Sequence, residues 1–372
     1  MSNPVRQHFI PQSYLRNFAK NENGKYFVDA LAKNSTEIKK GLSIKDICVE
    51  KNIYTFTGIE TDKKYDLEKF YATNVDAVYP EVYSLLTNPD IDKIDSGSKA
   101  KIILTISSLF FRTPKFLNYK NKNSDDIYDH LANFADKTTG EINYKFKGSA
   151  YNFNINEIGE VKQAARLKNK EQFLVNHLSD WNKFVHLKMD CGISVIKIVD
   201  EIDLITSDNP VAIRAMKTNY WEVEDIFDPN NMIQIPLDKK HFLYIYPNSE
   251  KELKQTFWRS EGKLWNALTC NHEMADLSEK WILGFPGSIE AHISNTIKYN
   301  EETIENEKSI EDEKQRALLL QELYDLQVKH SFFHPLVIKR FIEIAKMEVF
   351  NNNTIIGFAL KEYEKWGIKI KL

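Results

Sequence analysis

The spacing of apolar residues changes along this chain of 372 residues, and the change limits the folds open to it. Over residues 96–116, Ile102, Ile103, Ile106, Leu109, Phe110 and Phe116 make a wide apolar stripe. That is the pattern of a helix with one flank in a core. From Ile193 the repeat shortens: Ile193–Val199, Leu204–Thr206, Met232–Leu237 and His241–Tyr246 are β-branched and aromatic runs of strand length. Asp238-Lys239-Lys240 joins the last two as a hairpin loop. Helices and strands do not alternate regularly, which disfavours a Rossmann or TIM fold. The expected class is α+β, mostly helical, with a small antiparallel or mixed sheet and a helical C-terminal tail.

Local signals fill in the rest. Pro11 suits the first position of a short helix, and Ile10, Tyr14, Leu15 and Phe18 then share one apolar face. Tyr26–Ala32 and Asn52–Thr57 read as strands, and Asp66–Leu86 as helix interrupted near Pro80. Ser96 or Ser98 caps the apolar helix, and Pro114 ends or kinks it just after Arg112. Helices are expected over Ser124–Asp136 and Glu160–Asp190, with a loop or hairpin at residues 137–154 between them. From Glu301 to Asp325 nine acidic residues face three basic ones. A family-like α+β domain over residues 1–298 and an acidic helical extension over residues 299–372 follow from that shift.

Composition and missing motifs exclude several functions. Fifty Lys and Arg against 53 Asp and Glu give a net charge of −3, unlike a dedicated nucleic-acid wrapper. No apolar run is long enough to cross a membrane and no secretory signal opens the chain. Cys48, Cys191 and Cys270 are far apart and form no CxxC pair, the pattern of reduced thiols in a cytoplasmic protein. The Walker loop, GxGxxG, GxSxG, HExxH and the zinc-deaminase pair are absent. So is the closely spaced Arg–His pair of some ribonucleases.

Three constellations of chemistry-bearing residues remain. His8, in HFIPQSYLRNF at residues 8–18, precedes a helix start, where an imidazole serves as acid/base or metal ligand, or simply caps the turn. Arg112, in FFRTPKF, is an anion ligand or a buried clamp on carbonyls and carboxylates. Asp208 and Asn209, in LITSDNPV, stand at a strand end, a place for a base or a metal ligand and equally for an Asx turn. Weaker signals are the His330 and His334 pair, which Pro335 keeps off one helix, and Asn271-His272-Glu273.

HFIPQSYLRNF, FFRTP, TSDNPV and IQIPLDKKHFLYIYP, in that order, resemble the bacterial domain-of-unknown-function family 4238 over residues 7–300. The resemblance carries over His8, Tyr14, Arg112, Ser207, Asp208, Asn209, Pro210 and Pro236, and implies no activity. One functional expectation is a cleft shared by His8, Arg112, Asp208 and Asn209, with a divalent metal on Asp208. Such a site would hydrolyse a phosphodiester, nuclease-like, as bacterial defence or toxin-type effectors do. Its partner would be nucleic acid or a nucleotide. The rival is a non-catalytic module that binds an anionic ligand, a nucleotide signal or a partner protein. Self-association through the C-terminal helices is a further expectation, and a membrane partner is not expected.

Overall fold

Proline and aspartate set the helix ends in the computed structural model. It describes all residues except 1–5, 57–62, 147, 216–224, 248–255, 307–309, 333, 351–353, 366 and 371–372. The chain opens with β1 (Arg6–His8) and the single-turn α1 (Gln12–Leu15). It continues through β2 (Lys20–Glu22), β3 (Lys25–Ala32), β4 (Ile38–Ser43) and β5 (Val49–Lys51). The expected strand over Asn52–Thr57 is displaced onto β5. Asn52 has a positive φ of 55° and its side chain accepts from the Thr55 hydroxyl, so it turns the chain instead; residue 57 lies outside the described residues.

Next come α2 (Asp66–Tyr71), a π turn at Ala72–Asp76 and α3 (Tyr79–Thr87), whose first turn holds Pro80. In α4 (Ser96–Phe111) the cap is Asp95, which accepts from the Ser98 backbone N–H. A carboxylate at that position also meets the positive end of the helix dipole. Pro114 forbids a continuous helix and opens α5 (Pro114–Ala132) in its own first turn. Ile102, Ile103, Ile106, Leu109 and Phe111 of α4 are fully buried. Phe111 meets Phe116 and Phe184 at ring distances of 4.9 and 5.2 Å. The hairpin β6 (Glu141–Phe146) and β7 (Ser149–Asn154) joins α5 to the long α6 (Ile158–Lys188).

The strand-rich half follows: β8 (Gly192–Ile198), β9 (Thr206–Ser207), β10 (Ala212–Ala215), β11 (Asn231–Pro236), β12 (His241–Tyr246) and β13 (Phe257–Gly262). A mixed sheet has the order β10-β11-β12-β8-β13, with only β13 parallel to its neighbour. After α7 (Leu264–Leu277) comes β14 (Trp281–Gly284). It lies between β3 and β9 in an antiparallel sheet that also holds β2 and β4. The expected α+β class, largely helical with antiparallel and mixed sheets, is what the chain adopts.

Helix α8 (Ser288–Asn306) runs unbroken through residues 298 and 299, followed by α9 (Ile310–His330), α10 (Pro335–Ala345) and α11 (Thr354–Lys365). These last three helices share a separate apolar cluster around Leu323, Val337, Phe341, Ile344 and Tyr363. Trp265 of α7 stacks on Phe358 of α11 at 4.4 Å. All three cysteines are free and buried. No described helix is long and apolar enough to cross a membrane.

Candidate functional site

His8 is held by backbone pairing. As the last residue of β1 it faces Val49 of β5, and the next residue donates its N–H to Cys48. Its Nε2 lies 3.3 Å from the Ile44 carbonyl. A carbonyl only accepts, so Nε2 carries the proton and Nδ1 the lone pair. Burial lowers the imidazole pKa below its ordinary value, against the opposing pull of the Ile44 hydrogen bond and the Asp76 charge. His8 is therefore neutral at neutral pH.

Pro11 then starts α1 in an extended conformation. Tyr14 and Leu15 turn inward, fully buried, while Gln12, Ser13 and Arg16 join His8 in the wall of a cleft of about 450 Å³. Glu68 of α2 lines it too, with Ala72 and Asp76 of the π turn. Extra-residue turns of this kind recur at functional sites.

Arg112 stands behind this cleft. It is 1% exposed, and its guanidinium donates to the Asp76 carboxylate and to the His8 carbonyl. Tyr71 covers its face at 4.4 Å, and the Tyr54 hydroxyl donates to the Arg112 carbonyl. Such an arginine positions Asp76 and His8 and has no fork left for a ligand.

Two polar atoms in the cleft are left over. Ser13 Oγ and Glu68 Oε2 are both buried with no hydrogen-bond partner among the described residues. Each such group costs about 1–3 kcal/mol when nothing fills it. Burial pushes the Glu68 carboxyl up to about 7; the Asp76 charge adds to that, and Arg112 opposes it. Among the described residues no group of three or more His, Cys, Asp or Glu side chains is placed to hold a metal ion.

Residues 6–288 match the family described as protein of unknown function, DUF4238. The chain belongs to the DUF4238 family. No curated protein and no solved structure matches it.

The N-terminal segment bonds to each of the other three DUF4238 motif segments, two of them through Tyr14. The Tyr14 hydroxyl donates to the Pro236 carbonyl at 2.9 Å, so at 2.7 Å from Thr206 Oγ1 it accepts. Asn17 Nδ2 donates to the Leu237 carbonyl, and Arg112 reaches back to His8. Strand β9, the β11–β12 hairpin and the α4–α5 break are thus pinned to the N-terminal segment.

Asp208 and Asn209 are not among the cleft's walls. Asp208 Oδ1 accepts from the Glu279 N–H, and Oδ2 from those of Lys280 and Trp281. A cation there would meet the positive ends of three N–H dipoles. Burial raises the carboxyl above its ordinary value, with those three bonds working against the rise. Asn209 donates through its side chain to the Leu277 carbonyl and through its backbone to Ser207 Oγ. The pair ties β9 to the α7–β14 turn.

Of the four residues expected to converge, His8 lines the cleft, Arg112 supports it, and Asp208 and Asn209 serve this separate turn. Glu68, Asp76 and Ser13 carried no signal of their own in the sequence. Ser13 lay inside the N-terminal segment, but nothing there distinguishes its hydroxyl from an ordinary helix-start serine. His334 caps α10 in an extended conformation, accepting from the Leu336 N–H, as Pro335 requires.

Proposed function

We propose that this cleft is an acid–base site that hydrolyses a phosphodiester in a nucleotide or nucleic acid. The observation that carries the reading is the meeting of a neutral imidazole, a carboxyl of raised pKa and an unpaired hydroxyl in one cleft. Pairs of titratable groups pushed in opposite directions mark acid–base assignments. His8 Nδ1 takes a proton from the attacking water as its oxygen bonds to phosphorus. Glu68, still protonated, gives its proton to the leaving oxygen as the second P–O bond breaks. Arg16, exposed and 5.2 Å from the Tyr26 ring, is the cation on hand to anchor the phosphate. Ser13 Oγ supplies a further hydrogen bond.

The working state needs His8 free and Glu68 protonated. It is lost on the acid side as His8 takes up a proton, below its ordinary 6.5, and on the basic side near 7 as Glu68 ionises. A narrow bell-shaped rate profile follows. The test is hydrolysis of bis(p-nitrophenyl) phosphate and of a short single-stranded RNA across the pH range. Glu68→Gln and His8→Gln are expected to lose about 10²- to 10⁴-fold. Equal turnover by wild type and Glu68→Gln ends the proposal. Saturable binding of either probe with no turnover favours a non-catalytic module for anionic ligands, which Arg16 and Ser13 support equally.

A further inference from the structure

The cleft carries a charged group that the acid–base chemistry leaves without a task. Asp76 lines it together with His8 and Glu68. Glu68, Ala72 and Asp76 stand four residues apart in turn, so they share one face of α2 and of the π turn that continues it. Ala72 presents only a methyl group there, which keeps the space between the two carboxyls open. Arg112 takes one oxygen of Asp76. Oδ1 accepts from the guanidinium, while Oδ2 has no partner among the described residues. The Asp76 side chain is 29% exposed and that of Arg112 only 1%. The carboxylate is therefore the end of this ion pair that meets the cleft. Its charge acts on both His8 and Glu68, which places it beside the two groups that would handle protons.

An ionised carboxylate accepts hydrogen bonds and donates none. It also repels the oxygens of a phosphate. The phosphate of a substrate is thus turned toward Arg16, the exposed cation of the same cleft. What meets Asp76 has to be a neutral donor close to the phosphorus. A ribonucleotide has one: the 2′-hydroxyl, on the carbon next to the one that bears the 3′-phosphate. The N–H groups of a base lie farther away, and a deoxyribonucleotide has no donor at that place. The cleft, of about 450 Å³, has the size of a small-molecule site, enough for the sugar and phosphate of one linkage. We propose that Asp76 reads the sugar, its Oδ2 accepting a hydrogen bond from a ribose 2′-hydroxyl, so that the cleft takes ribonucleotide phosphodiesters in preference to deoxyribonucleotides. This rests on the cleft being a phosphodiester site. Asp76 is then a specificity residue, and the proton transfers stay with His8 and Glu68.

The probes are the dinucleotides UpU and ApA, with their 2′-deoxy and 2′-fluoro forms. They are titrated by calorimetry into the full chain carrying Glu68→Gln, which the acid–base reading leaves unable to consume them. Fluorine keeps the sugar pucker of a ribonucleotide but cannot donate, so it separates the donor from the shape. Both ribonucleotides should bind saturably. Both the deoxy and the fluoro forms should bind about tenfold or more weakly, the usual worth of a hydrogen bond to a charged group. Adding Asp76→Asn leaves an oxygen for Arg112 and turns an N–H₂ toward the cleft. That change should bring the ribonucleotides down to the level of the other two and remove the preference. Equal binding of the three sugar forms overturns the proposal, and this comparison needs no change at Asp76. So does the absence of saturable binding at about 10 mM, a weak-binding limit, or an undiminished preference in folded Asp76→Asn. Failure of the acid–base reading looks different: the wild type would then bind UpU with the same preference and hydrolyse none of the probes.

Discussion

The Asp208 turn and the His8 cleft are built from similar residues, and their polar groups are satisfied to different degrees. At the turn both carboxylate oxygens of Asp208 are taken up by backbone N–H groups and Ser207 Oγ accepts from Asn209, which leaves Asn209 Oδ1 as the one side-chain polar atom of the Asp208 and Asn209 pair without a partner among the described residues. In the cleft Ser13 Oγ and Glu68 Oε2 are buried and unspent. Polar groups that are fully bonded hold a fold together, whereas groups left over inside a wall cost stability and are available to a ligand. The behaviour of variants should divide along the same line.

The largest effect is expected where the two roles meet. Arg112→Met leaves the His8 carbonyl and Asp76 without their donor and should cost about 3–5 kcal/mol, the usual penalty for breaking a buried pair. Urea unfolding checks this; a loss below about 1 kcal/mol would mean that the network is not a support.

Asp208→Asn comes next. An amide cannot accept from three N–H groups without turning its own N–H₂ toward one of them. The expected loss is about 2 kcal/mol, with the phosphodiesterase rate of the folded fraction unchanged. A fall in rate at constant stability would move Asp208 back among the reacting groups.

Glu68→Gln should do the reverse, losing activity and gaining stability. Burial pushes the Glu68 carboxyl in the folded protein up to about 7, above its ordinary 4.5. The native state then holds more protons than the unfolded state between these values, and stability falls as pH rises through that window. Removing the ionisable group should raise stability at pH 8 on the order of 1 kcal/mol, after discounting for solvent screening of a half-open group. The gain should vanish at pH 4. Melting curves at the two pH values decide it, and equal shifts at both would mean that ionisation of Glu68 costs the fold nothing.

The smallest contrast is between two serines. Ser207→Ala should cost about 0.5–1.5 kcal/mol, because Ser207 Oγ accepts a buried N–H. Ser13→Ala should instead gain up to about 1 kcal/mol, since it removes a buried hydroxyl with no partner among the described residues. Denaturation midpoints of the pair show whether that hydroxyl is truly spare.

The sequence by itself determined the elements. Apolar spacing placed α4 and the buried face of Ile10, Tyr14, Leu15 and Phe18, and Pro114 marked where α4 stops, though not that the next helix begins there. Those are short-range effects of backbone chemistry and periodicity, and they can be read one segment at a time. The same local reading marked His8, Arg112 and Asp208 as polar groups with work to do. Tertiary structure alone decided what work. Arg112 and Asp208 found their partners 104 and 71 residues away along the chain. Glu68 and Ser13 line one cleft, and Glu68 Oε2 and Ser13 Oγ have no hydrogen-bond partner among the described residues. Whether a buried polar group ends bonded or unspent depends on what long-range packing brings to within about 3 Å of it, and no local pattern in the chain encodes that distance.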